Sequence, residues 1–242
     1  MKQIKDNDHY NISDSILRVE IQGDIKKEYA RRYLANHLDL IMSNIFLVAN
    51  ISCPGCLDLF NAYYNKEKNI YKLDFCNYPF DEAWYVSKEL LGWPYIRKIP
   101  LSEVAKWFDQ LEIGIKQIAS TRVEKTLFAL LHFCKESAKI SPNSIIWLMH
   151  ALEAFYNTPR RGIKQALRDS IMRELSTPKH REEEISKIIH MLYKKRSNYV
   201  HGTSNIHHPL CNDIFDKRLN DYNSDIIKSY GIASAIVVSG IL

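Results

Sequence analysis

Apolar residues recur at helical spacing along most of the chain. The segments with this pattern span residues 24–51, 102–111, 115–137, 144–156, 159–175, 181–201 and 212–239. Two shorter segments, residues 16–21 and 70–75, alternate apolar with polar side chains, which is typical of strands. The chain has only 8 glycines in 242 residues, which disfavours a protein with many tight turns. The pattern predicts a mainly α-helical fold.

The pattern changes character near residue 112. Residues 1–112 contain both predicted strands, several prolines and a helix that Ser102 is expected to cap. Residues 113–242 show helical patterns alone. We therefore expect a smaller N-terminal module, mixed α/β or mostly helical, and a C-terminal helical bundle. The N-terminal module has no phosphate-binding glycine loop, metalloprotease helix or nucleophile elbow, so we expect it to serve in sensing or partner contact.

The distribution of charge points to an anionic partner for the C-terminal part. The net charge is +5, yet residues 1–158 are neutral, with 19 basic and 19 acidic side chains. Residues 159–242 hold 14 basic and 9 acidic side chains, and 11 of the basic ones lie in 159–200. Nucleic acid is the commonest partner of such a local surplus. A solvated basic face without a ligand is the alternative.

Cysteine usage and hydropathy favour a cytoplasmic protein without metal or cofactor. The five cysteines are irregularly spaced, which argues against a secreted disulfide framework. Cys53 and Cys56 have the spacing of a zinc knuckle or a redox pair, but only Cys76 is nearby, so ordinary thiols beside a turn are favoured. The first ten residues are polar, unlike a signal peptide, and the apolar runs 41–51 and 231–242 are too short for a bilayer.

The segment 181–201 carries the most informative residues. Its core-facing stripe consists of Ile185, Ile188, Ile189 and Leu192. Arg196 extends this stripe, and a cation there needs a partner or a purpose. His201 follows five residues later, about 140° around the helix, so the two side chains can border one groove. The segment therefore ends in the form Tyr-x-x-Arg-x4-His-Gly, with Gly202 in the position favoured just past a helix end.

A second helix, upstream, carries the sequence Ala151-Leu152-Glu153-Ala154. Together with the segment from Tyr193 to Gly202 it resembles the HEPN superfamily and, within it, the Apea-like HEPN domains. The resemblance covers about residues 115–242. It implies an all-α bundle, usually a homodimer, that often cleaves RNA without metal, and many such proteins act in prokaryotic antiviral-defence or toxin systems. The Arg and His of the family motif map onto Arg196 and His201.

One position departs from the family pattern. Active members often carry Asn, Asp or His directly after the Arg, whereas this chain has Ser197 there and Asn198 one place later. The departure bears on activity rather than on fold. It leaves open a HEPN module that binds RNA or a partner protein without cleaving.

Arg196 and His201 have the chemistry that RNA cleavage requires. The reaction needs a base for the 2′-hydroxyl, an acid for the leaving 5′-oxygen and positive charge at the phosphorane. Imidazole titrates near neutral pH and can serve as base or acid, and a guanidinium can hold a phosphate through two hydrogen bonds. One chain supplies one such histidine, so a two-fold dimer would complete the site.

Other residues are expected to support RNA binding. Asn198 and Ser197 can contact phosphate or ribose, and Tyr193 and Tyr199 can stack on bases or pack in the core. Glu153 can orient Arg196 through an ion pair or face solvent. The residues expected to follow the RNA backbone are Arg160, Arg161, Lys164, Arg168, Lys194 and Lys195.

Three functions remain open from the sequence. The first is a metal-independent endoribonuclease, acting as a homodimer on RNA. The second is a non-catalytic HEPN module that binds RNA or a partner protein. The third is a structural or regulatory protein whose partner is encoded beside it, with no membrane involved in any of the three.

Overall fold

The structure is a computed structural model that describes residues 30–60, 62–66, 69–111, 113, 117–136, 142–159, 161–204 and 217–242. The chain divides into two compact units, Met1–Asp39 and Leu40–Leu242, and the boundary falls within the first described helix. All contacts discussed below lie within the second unit. The predicted strand at 16–21, together with Arg160 and Cys211, lies outside the described residues.

The described residues are mainly helical, as the pattern predicts. The helices are α1 (Ala30–Ser52), α2 (Tyr78–Tyr85), α3 (Leu101–Gln110), α4 (Arg122–Glu136), α5 (Pro142–Phe155), α6 (Ile163–Glu174), α7 (Glu182–Val200) and α8 (Lys217–Ile241). A π-helical turn, Val86–Leu90, continues α2, and a 3-10 turn, Lys179–Arg181, precedes α7. One antiparallel hairpin pairs β1 (Tyr63–Lys66) with β2 (Asn69–Lys72), with Tyr64 opposite Tyr71. The strand predicted over 70–75 is therefore present, but it ends earlier, at Lys72.

Three of the helix starts that differ from the prediction are described by their local structure. The helix predicted from residue 115 begins at Arg122, because Thr121 and Glu124 form a reciprocal capping box. The helix predicted from residue 159 begins at Ile163, since Gly162 before it takes a left-handed conformation. The helix predicted with Ser102 as its cap begins after Pro100, and no side chain caps it.

α5 lies at the centre of the helical core. It packs against α4, α6, α7 and α8. Its buried face carries the side chains of Leu148, Met149, Ala151 and Leu152, each at most 1% exposed. Four partners cover most of α5. Its polar side chains include exposed His150 and, in the last turn, half-buried Glu153.

α8 connects elements from both sides of residue 112. Residues 232–238 of α8 are all buried, and α8 packs against both α2 and α5. Contacts between the predicted modules are thus extensive, and their division at residue 112 stays a prediction. The HEPN-type arrangement of the bundle also stays a prediction. Within the described ranges, no helix is both long enough and apolar enough to span a bilayer.

Candidate functional site

The position of α7 is set by its apolar face. Ile185, Ile189 and Leu192 are at most 2% exposed, and Ile188 is 8% exposed. This is the stripe that the sequence predicts. Because Arg196 follows Leu192 by four residues, the same face carries its side chain to the end of α5.

The C-terminal end of α7 is closed by a hydrogen-bonded cap. Gly202 has φ +69°, its N–H donates to the carbonyl of Tyr199 at 3.1 Å, and the N–H of Thr203 donates to the carbonyl of Asn198 at 2.8 Å. This pair of bonds is a Schellman motif, which requires a left-handed residue where Gly202 stands. The motif holds the backbone of His201 at the helix terminus, while its side chain is exposed.

Arg196 is held by a partly buried carboxylate. Its Nη1 donates to Oε1 of Glu153 at 3.2 Å, and the side chains are 32% and 16% exposed, respectively. Of the two alternatives for Glu153, orientation of Arg196 is the one observed. Burial raises the pKa of Glu153, and the charges of Arg196 and His150 offset this only in part. The ion pair therefore joins α7 to α5 at a partly buried site.

The guanidinium of Arg196 keeps donors for a ligand. Among the residues that the structure describes, Glu153 is its one hydrogen-bond partner. A guanidinium has five N–H donors, so one bond to a carboxylate leaves several unused. With about a third of the side chain exposed, these donors can bind a phosphate oxygen.

The predicted basic residues do not form one surface. Lys164 contacts His190, with Nζ 3.0 Å from Nδ1, which places the start of α6 beside the middle of α7. Arg161, just before α6, is exposed, as is Lys194. Arg168 pairs with Asp169 at 3.2 Å, so its charge is partly neutralised. Arg161, Lys164 and Lys194 are the exposed cations among these residues.

Lys195 lies on a different face of α7. It lines an open groove of about 520 Å³ between α7 and α8, together with Glu184, Lys187 and Lys228. Acidic and basic side chains are mixed in this groove. We therefore assign Lys195 to the groove rather than to the surface around Arg196.

The remaining predicted residues are only partly accessible. Tyr193 packs against the core, which agrees with the packing alternative for this ring. Tyr199, Asn198 and Ser197 are half-buried, and the carbonyls of all three accept hydrogen bonds from the cap of α7. Their backbone thus has a structural role in the cap of α7.

Sequence reasoning missed Arg122, which lies at the same end of the bundle. Its guanidinium carbon is 5.9 Å from the centroid of the Phe155 ring, and Phe155 ends α5 two residues after Glu153. Arg122 is exposed and begins α4, the antiparallel neighbour of α5. The capping box of Thr121 and Glu124 was the sequence signal that could have placed Arg122 at a helix start.

Cys53 and Cys56 are free thiols at the turn that follows α1. Cys56 donates through Sγ to the carbonyl of Ala49 at 3.3 Å. Burial, followed by the neighbouring Cys53, raises the pKa of the Cys56 thiol, which disfavours the thiolate that metals and redox chemistry need. Across the described ranges, no three His, Cys, Asp or Glu side chains come together in a way that could hold a metal.

Comparison with known proteins does not assign this site. No family model matches the chain, and neither a curated protein nor a solved structure matches it. The site therefore has to be interpreted from its own chemistry. Arg196 is anchored at the end of α5, Arg122 lies beside Phe155 at the same end, and α7 ends in the exposed imidazole of His201. Guanidinium and imidazole groups have chemistry that suits a phosphodiester.

Proposed function

We propose that this protein is a metal-independent endoribonuclease of HEPN type, acting as a homodimer through Arg196 and His201. One observation carries the proposal: Glu153 anchors Arg196 at 3.2 Å on the helix that ends in an exposed His201. The anchor gives the guanidinium a defined direction without consuming its remaining donors. A surface arginine without such an anchor would lose side-chain entropy on binding a phosphate.

The proposed reaction is transfer of the phosphodiester to the 2′-oxygen. A histidine accepts the proton of the 2′-hydroxyl as the 2′-oxygen bonds to phosphorus. The bond from phosphorus to the 5′-oxygen breaks, and a second histidine gives that oxygen a proton. Arg196 stabilises the charge that develops on the non-bridging oxygens. The products are a 2′,3′-cyclic phosphate and a free 5′-hydroxyl.

The reaction accounts for a dimer. It uses a base and an acid at once, and one chain contributes one His201 to the site. A two-fold axis near the C-terminal end of α7 would bring two copies of His201 and of Arg196 into one cleft. Arg161, Lys164 and Lys194 would then follow the RNA backbone on either side. RNA as substrate agrees with a cytoplasmic location and with a role as an antiviral-defence or toxin effector.

A second candidate function is RNA or protein binding without cleavage. It is favoured by Ser197, which stands where active family members often carry Asn, Asp or His. It predicts RNA binding that weakens steeply with salt, with no turnover. A co-encoded partner protein would be found by co-purification from the native host.

The decisive experiment is RNA cleavage by the purified full chain in the presence of EDTA. We expect wild-type protein to release cyclic-phosphate ends, detected by mass spectrometry, and His201→Ala to be at least about 100-fold slower. His180→Ala is the matched control, because His180 is also exposed but precedes α7. It should retain wild-type cleavage.

Three results would contradict the proposal. They are loss of wild-type cleavage in EDTA, equal cleavage by His201→Ala, and a monomer in sedimentation under conditions where cleavage occurs. Salt-sensitive binding without any cleavage would instead support the second candidate.

A further inference from the structure

A group of aromatic rings and lysines lies outside the site just described. Tyr95 is 71% exposed, and Nζ of Lys88 lies 4.5 Å from the centroid of its ring. The same ammonium lies 5.0 Å from the ring of half-buried Trp84, and Nζ of Lys98 lies 5.4 Å from that ring. We call Trp84, Lys88, Tyr95 and Lys98 the aromatic–lysine patch.

The backbone beneath Tyr95 is held firmly. The carbonyl of Tyr95 accepts a hydrogen bond from Oγ of Ser239 at 3.0 Å. The next residue, Ile96, is fully buried, and its N–H donates to Oγ of Ser87 at 3.1 Å. A large ring is thus displayed to solvent from a fixed position. Rings of this kind bind ligands with little loss of conformational entropy.

The excess of positive charge around the rings favours an anionic ligand. Residues 84–98 contain Lys88, Arg97 and Lys98 but only one acidic residue, Glu89. Aromatic rings interleaved with cations are the arrangement that binds single-stranded nucleic acid, because bases stack on the rings and phosphates meet the cations. A cationic ligand would instead meet repulsion from Lys88, Arg97 and Lys98.

The patch lies at the same end of the bundle as Arg196. Ser239, which bonds Tyr95, precedes Gly240, and a Cβ on Gly240 would come within 2.5 Å of the Phe155 ring. Phe155 lies in the turn of α5 that also carries Glu153, the partner of Arg196. The end of α8 therefore connects the patch to the end of α5 through direct contacts.

We propose that the aromatic–lysine patch binds single-stranded RNA by base stacking on Tyr95 and Trp84, and guides the strand toward Arg196. Arg122, exposed beside Phe155, offers a phosphate contact between the two. The guiding role rests on the proposed ribonuclease function. The binding does not, since it involves neither Arg196 nor His201.

The test measures binding of a fully 2′-O-methylated oligouridylate of twelve nucleotides, which lacks the attacking hydroxyl and cannot be cleaved. Fluorescence anisotropy on the full chain compares wild type with Tyr95→Ala, Tyr95→Phe and the double variant Lys88→Ala/Lys98→Ala. Lys125→Ala is the matched control, because Lys125 is an exposed lysine in α4. Thermal melting verifies that each variant is folded.

We expect Tyr95→Ala to weaken binding about tenfold and Tyr95→Phe to stay within about twofold, because stacking needs the ring and not the hydroxyl. The double lysine variant should bind more weakly. The slope of log binding constant against log salt concentration should be shallower by about 1.4, because two phosphate contacts are lost. Lys125→Ala should match wild type.

The proposal is overturned if Tyr95→Ala and the double variant bind as tightly as Lys125→Ala. It is also overturned if a trimethyllysine peptide, and not RNA, binds in a Tyr95-dependent way. Failure here is distinct from failure of the ribonuclease proposal. His201→Ala should bind the methylated oligonucleotide normally, and loss of patch binding would leave any cleavage of short RNAs in place.

Discussion

Each end of α7 holds an arginine–glutamate pair, and the two arginines differ in the number of hydrogen bonds that they donate. At the N-terminal end, Arg181 donates through Nη1 to Glu184 at 3.0 Å and through Nη2 to the carbonyl of Leu91 at 3.1 Å. Glu184 also meets Nζ of Lys228 at 3.3 Å. This network ties α7 to α8 and to the end of the π-helical turn.

At the C-terminal end, Arg196 has one hydrogen-bond partner among the described residues, Glu153. The exposed His201 follows five residues later, at the end of the same helix. The two pairs have similar lengths, 3.0 and 3.2 Å, and similar exposure of the arginine, 23% and 32%. Distance and burial alone therefore do not separate a structural ion pair from a functional one. The pairs differ in the number of donors in use, since Arg181 makes two hydrogen bonds and Arg196 makes one to the described residues. A ligand can bind only the donors that remain.

The largest expected effect is on the rate of RNA cleavage, when Arg196→Ala is compared with Arg181→Ala. Arg196→Ala should lower RNA cleavage at least about 100-fold, since the charge on the phosphorane loses its partner. Arg181→Ala should cleave at the wild-type rate per folded molecule but melt at a lower temperature, because it breaks a part-buried network. Initial cleavage rates and melting curves on the same samples measure both.

The result that would break the comparison is a loss of cleavage in Arg181→Ala as large as in Arg196→Ala. The comparison would also fail if Arg196→Ala lowered the melting temperature but left the rate of cleavage unchanged. Either outcome would mean that both pairs serve the fold.

The two glutamates are expected to respond oppositely to pH. Burial raises the pKa of Glu184, but hydrogen bonds from Arg181 and Lys228 outweigh it, and the net pKa is lowered. For Glu153, burial dominates and the pKa is raised. The reference is the pKa of an unfolded glutamate, about 4.3.

The signs follow from which state binds protons. As pH falls below about 4.3, the unfolded chain protonates Glu184 before the folded chain does, so the stability from Glu184 is lost. As pH rises above that value, the unfolded chain ionises Glu153 first, so stability falls until the folded pKa is passed. Relative to wild type, Glu184→Gln should therefore become less stable as pH rises, and Glu153→Gln more stable.

Urea unfolding of both variants at several pH values from 3.5 to 7 measures these slopes. At pH 7 we expect Glu184→Gln to cost about 1–2 kcal/mol in the free energy of unfolding, the range for a hydrogen bond to a charged group. Slopes of equal sign for the two variants would contradict the assignment of their environments.

The smallest expected effect concerns the cap that holds His201. Gly202→Ala should lower the free energy of unfolding by about 1 kcal/mol, because alanine is strained at φ +69°. Ser176, which occupies the equivalent position after α6 with φ +46°, provides the reverse control. Ser176→Gly should stabilise the protein by about 0.5 kcal/mol. If both variants melted at the wild-type temperature, the left-handed residue would not contribute to stability at either helix end.

The helical elements of the C-terminal part were largely predictable because their signals are local. The stripe from Ile185 to Leu192 and the glycine after His201 predicted α7 within one residue at each end. Where prediction failed, a short-range signal had been overlooked or was absent. The capping box at Thr121 and Glu124 was overlooked, whereas α2 is too short to show a clear period.

The candidate site was predictable only in part. Arg196 and His201 were predicted because they end a periodic segment whose form resembles the HEPN motif. For Glu153 the sequence left two roles open, an ion pair with Arg196 or exposure to solvent. Nothing local predicted that Arg122 would meet Phe155, or that α8 would form the second wall of the groove that Lys195 lines. Those outcomes depend on how helices cross, which periodicity does not encode.

The sequence by itself determined the helical character, the core face of α7, its end at Gly202 and the crowding of positive charge near it. Each of these depends on residues within a few positions of one another, where backbone hydrogen bonding and side-chain periodicity decide the outcome. The tertiary structure alone decided that Arg196 meets Glu153, 43 residues away, and that Tyr95 is tied to Ser239, 144 residues away. Such contacts arise from the packing of whole helices, because packing brings together side chains that have no local relation in the chain.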